Sequence, residues 1–125
     1  MTNALKIDFF AIAKIRNPAS INWKSPFVFV GKTDDELSLV ALESEVPSDA
    51  YPVDRGYRMM RVAGTLDMSL TGILARISKV LADEEIPIFA FSTYNTDYIL
   101  VKSHTFKNAV QALSRAGYLV TNEIS

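Results

Sequence analysis

Arg58 to Thr65 (RMMRVAGT), Leu70 to Leu81 (LTGILARISKVL), Ile86 to Thr93 (IPIFAFST), Tyr98 to Lys102 (YILVK), Phe106 to Ala116 (FKNAVQALSRA) and Tyr118 to Val120 (YLV) follow one another along the second half of the chain. The first, third, fourth and last are short, apolar and β-prone, and read as strands. The second places Leu70, Ile73, Leu74, Ile77, Val80 and Leu81 at i, i+3, i+4, i+7, i+10 and i+11, one apolar stripe of helical period. Asp67 or Ser69 is expected to cap it, and Pro87 lies just beyond its end. In the fifth, Phe106, Ala109, Val110, Leu113 and Ala116 share a helical face, with Ser103 or Thr105 as cap and Gly117 as stop. Tyr94-Asn95-Thr96-Asp97 is a turn between two strands. The order is therefore βαββαβ, a split βαβ unit whose two helices cover one face of an antiparallel sheet.

The first 57 residues repeat part of that order. Ile7 to Ile15 (IDFFAIAKI), Phe27 to Val30 (FVFV) and Leu37 to Leu42 (LSLVAL) read as strands, and Thr33-Asp34-Asp35-Glu36 closes a hairpin between the last two. The intervening stretches are poor helix formers. Asn17 to Ser25 holds Pro18, and Glu45 to Tyr57 holds Pro47, Pro52 and Gly56. The expectation is an α+β chain of two ferredoxin-like units, a shortened one over residues 1–57 and a full one over 58–125. Element order recurs between them without overt sequence repetition.

Composition narrows the function classes. A chain of 125 residues with 49% apolar and 22% charged side chains can bury a core. Thirteen basic and fourteen acidic residues give a net charge of −1, which argues against a general nucleic-acid binder. The absence of cysteine excludes disulfides, a thiol nucleophile and thiolate metal sites. No apolar run approaches the ~20 residues of a membrane span. The start lacks the basic-then-apolar order of a signal peptide, so a cytoplasmic location is expected. Charge comes in blocks: seven acids and no base over 34–54, flanked by segments of local charge +4. These read as solvated loops and strand edges rather than as an interface between complementary halves.

No catalytic arrangement is visible. His104 is the one histidine, near a helix start and without a partner at metal-ligand spacing. There is no nucleophile elbow, phosphate loop or dinucleotide fingerprint. Asp83-Glu84-Glu85 reads as a solvated helix end, and Trp23 as an anchor packed on the core rather than a ligand platform.

Two segments look suited to binding. In Leu66 to Leu74 (LDMSLTGIL), Gly72 is expected in the first helical turn, where a glycine is costly and needs a reason. Close approach of a ligand or of another backbone is one, and tight helix packing on the sheet is the other. The free N–H groups of Leu70 to Ile73 suit a carboxylate. In Phe91 to Asp97, Ser92 and Thr93 supply hydroxyls, Asn95 an amide and Asp97 a carboxylate, which together could hold an ammonium or guanidinium. The competing reading is a plain hairpin turn.

At these segments the chain resembles the ACT domain family. Asp67-Met68-Ser69-Leu70-Thr71-Gly72-Ile73-Leu74 is similar to the signature in which Pro-Gly opens the first helix, with Thr71 in place of the proline. Thr33-x-x-Glu36-Leu37-Ser38-Leu39-Val40 and the run Ile88 to Val101 resemble the tandem ACT subfamily, which includes the arginine sensors called CASTOR and is similar to the regulatory tail of aspartokinases. The resemblance implies two ACT-like units, no catalysis, no cofactor, homodimerisation, and an amino acid bound at an interface between units. Carried over by position, Ser69, Leu70, Thr71, Gly72 and Ile73 would receive the carboxylate end, and Ser92, Thr93, Tyr94 and Asp97 the amine or side chain. Asp97 leans toward arginine or lysine as ligand. A partner enzyme or regulator would read the bound state. The alternative is an interaction or dimerisation module with no small ligand.

Overall fold

Both amphipathic stretches form helices and every expected run contributes a strand. The computed structural model describes residues 9–62, 72–118 and 120–121. The elements are β1 (Phe10–Lys14), β2 (Val28–Lys32), β3 (Leu37–Leu42), β4 (Val53–Val62), α1 (Ile73–Asp83), β5 (Phe89–Ser92), β6 (Asp97–Lys102), α2 (Phe106–Arg115) and β7 (Val120–Thr121). The chain divides into two compact units, with the boundary between Tyr57 and Arg58 inside β4.

In the front unit the strand order is β2-β3-β1-β4. Neighbours are antiparallel, with Ile12 opposite Val40 and, on its other side, opposite Asp54. Short 3₁₀ turns stand where helices would be, at Pro18–Ser20 and Glu43–Glu45. Asn17 opens the first of these by accepting from the Ala19 N–H at 2.9 Å, and Pro18 follows it at the position where a missing N–H costs nothing. With so little helix to cover it, the apolar face holds a small core of Ile15, Ile21, Leu39 and Ala41.

Strand β4 starts at Val53, five residues before the expected Arg58. Pro47, Pro52 and Gly56 made that stretch read as loop. The structure accommodates Gly56 in a β-bulge: its φ is +86°, and the register of β1 on β4 shifts between Phe10 and Ile12. The Gly56 N–H donates instead to Glu43 Oε2 at 2.7 Å, so the bulge leaves no orphan donor there.

In the back unit the order is β7-β4-β6-β5, and the measured pairs β4–β7 and β5–β6 are antiparallel. With α1 and α2 this is the expected βαββαβ arrangement. Ile77 and Leu81 of α1 and Ala109, Ala112 and Leu113 of α2 share one core with Met60, Ile99 and Val101 of the strands. The other face of the strands carries rings: Phe91 stacks on Tyr98 at 5.4 Å, and the Arg61 guanidinium lies 5.6 Å from the Tyr98 ring centre. The Arg58 guanidinium covers Phe106 at 4.0 Å. No polar or charged residue is buried among the described residues.

Helix ends differ from the expected caps. α1 begins at Ile73, with Gly72 as a cap that has no side chain; Asp67 and Ser69, the expected caps, lie outside the described residues. Thr105 stands at the N-cap of α2, but its hydroxyl donates back to the Lys102 carbonyl at 3.0 Å rather than accepting from the helix. Gly117 does end α2, and the Tyr118 N–H reaches the Leu113 carbonyl at 3.0 Å. Ala116, expected on the apolar face, is exposed, and Ala112 takes the core position.

The two hairpins correspond residue for residue at a spacing of sixty. Val30 pairs with Leu39, and Ala90 with Ile99; Lys32 pairs with Leu37, and Ser92 with Asp97. Thr33 N–H donates to the Glu36 carbonyl at 2.9 Å, and Thr93 N–H to Thr96 at 2.8 Å. A 3₁₀ turn follows each hairpin, at Glu43–Glu45 and at Ser103–Thr105.

Candidate ligand-binding site

The described part of the first candidate segment, at the start of α1, and the β5–β6 turn belong to the back unit and lie at the same end of it. In a split βαβ unit the helix runs back against the strand before it, so the next strand heads toward the end where the helix began. The β5–β6 turn is therefore at the end of the unit where α1 starts.

Of the helix-opening residues, Ser69, Leu70 and Thr71 lie outside the described residues. Gly72 is exposed, with φ +82° and ψ 12°. A Cβ built there would meet no described residue within 4 Å. Neither packing on the sheet nor a close backbone neighbour among the described residues accounts for the glycine. The left-handed conformation does. The first helical bond runs from the Arg76 N–H to the Gly72 carbonyl at 3.0 Å. Among the described residues, the N–H groups of Ile73, Leu74 and Ala75 at the start of α1 have no described acceptor; of the expected donors, Leu70 and Thr71 lie outside the described residues.

The hairpin cluster spends much of its polarity on itself. Ser92 Oγ donates to Asp97 Oδ1 at 2.5 Å, across a directly opposed pair. Thr93 closes the turn through its N–H, and its hydroxyl lies 3.3 Å from the Thr96 carbonyl. Tyr94 is fully exposed at the tip. Ser92 and Asp97 are brought together and Thr93 stands beside them, while Tyr94 has no part in the cluster's hydrogen bonds among those described. Asp97 is half-buried, and no donor to its second carboxylate oxygen is described.

A concavity in the front unit was not singled out by sequence. It is an open depression of about 380 Å³, bordered by Ile12, Lys14, Glu36, Ser38, Pro52 and Asp54. Its polar groups come from β1, the turn before β3, and β4, so their proximity depends on strand order. The one available signal was the acidic block over 34–54, which contains Glu36 and Asp54. Asp54 Oδ2 accepts from the Tyr57 hydroxyl at 2.7 Å. Partial burial, then the hydrogen bond and charge of Asp54, push the Tyr57 hydroxyl up to about 12. No group of three or more His, Asp or Glu that could hold a metal ion occurs among the described residues. No described helix is long and apolar enough to cross a membrane.

The sequence matches the ACT domain family over residues 53–115, from the start of β4 to the end of α2. The chain belongs to the ACT domain family. ACT domains are regulatory rather than catalytic and typically bind amino acids. A solved protein from Agobacterium tumefaciens is 32% identical, over 87% of this ACT chain and 83% of its own, with a TM-score of 0.76. A Vibrio cholerae protein described as a possible transport protein is 16% identical over 88% of this chain and 84% of its own, at TM-score 0.70. The aspartate kinase of Clostridium acetobutylicum, described as an allosteric enzyme, is 14% identical over 88% of this chain but only 33% of its own length, at TM-score 0.63. These last two likenesses are of fold. No curated protein matches the ACT chain by sequence.

Proposed function

We propose that this ACT protein is a non-enzymatic regulatory module that binds a free amino acid at an interface between ACT units. The observation that carries the reading is the ACT match over β4 to α2, in a fold that sets the α1 start and the β5–β6 turn at one end. The backbone donors of Ile73 to Ala75, with the positive end of the helix dipole, receive the ligand carboxylate. Asp97, oriented by Ser92, receives the ammonium or a cationic side chain. Ser69, Leu70 and Thr71 complete the loop around the carboxylate. We assign the front unit as a shortened ACT-like copy, on the strength of its strand order and the sixty-residue correspondence of the hairpins. Two such chains form the working dimer. Ligand acts by population shift, favouring the arrangement of units it binds better, and a partner enzyme or regulator reads that arrangement.

A thermal-shift panel of the twenty amino acids on refolded protein tests this. Ligand at a hundred times its dissociation constant adds about 2.7 kcal/mol, several degrees for a chain of this size. One selective hit, weakened about tenfold or more by Asp97→Ala, is expected. A flat panel with a stable dimer on sizing would replace the reading with that of an interaction module.

A further inference from the structure

We draw no further inference here: the strongest candidate, the partly uncovered margin of the front-unit sheet along its edge strand β2, where Val30 stands exposed opposite the buried Leu39, is an apolar sheet face and nothing in the structure shows what covers it.

Discussion

Gly72 sits at φ +82°, and no described residue lies within 4 Å of where its Cβ would be. A substitution there costs backbone strain and no clash with the described residues. Gly72→Ala is expected to destabilise the protein by about 1–2 kcal/mol, and Gly72→Asn by less, since Asn tolerates the left-handed region. Urea unfolding at constant m-value measures both; equal costs for the two would indicate crowding instead. Tyr57 supplies a pH dependence. Its folded pKa, about 12, is above the ordinary 10, so the folded state holds the proton more tightly. That contribution to stability is fully present below pH 10 and is lost as pH rises from 10 toward 12. Tyr57→Phe should remove this part of the alkaline decline, and a denaturation series across that range checks it. At this scale the sequence showed that Gly72 needed a reason and that Asp97 stood in a polar cluster. It did not show that Ser92 would donate to Asp97 or that Glu43 would serve the Gly56 bulge, because both contacts exist only after strands pair.

Among elements, the end of α1 carries an avoidable strain. Glu85 has φ +60°, at the position where a glycine usually ends a helix, and the Ile86 N–H donates to the Leu81 carbonyl at 2.9 Å. Glu85→Gly should relieve about 1 kcal/mol of left-handed strain and remove an acid from the negative end of the helix dipole. A rise of a few degrees in Tm is expected; a fall would mean that Glu85 makes a stabilising contact of its own. Asp83 and Glu84 beside it are partly offset by Lys79 at 3.1 Å and Arg115 at 3.9 Å. Both helices were legible because an apolar stripe of period 3.6 leaves one solution. The early start of β4 was not, since Pro52 just before it and Gly56 within it read as strand breakers, and Gly56 is accommodated only by a bulge. The hairpins were legible from their turn residues, but their equivalence was not. What recurs is register and turn bonding, while side chains differ at most positions.

For the whole molecule, the acidic block illustrates what composition can and cannot say. Seven acids over 34–54 read as solvated, and Asp34, Asp35, Glu36, Asp49 and Asp54 are indeed exposed. Folding sets Lys14 beside two of them, which no linear pattern reveals. The central proposal is that this ACT protein binds a free amino acid. Native mass spectrometry of protein denatured, stripped and refolded, then offered a pool of twenty amino acids and common nucleotides, tests it most directly. The account predicts a discrete adduct of one amino-acid mass on the chain or its dimer, whose mass shifts when an isotope-labelled form of that amino acid is displaced by an excess of the unlabelled one. A spectrum with no amino-acid adduct at millimolar ligand, or with a nucleotide bound instead, would contradict it.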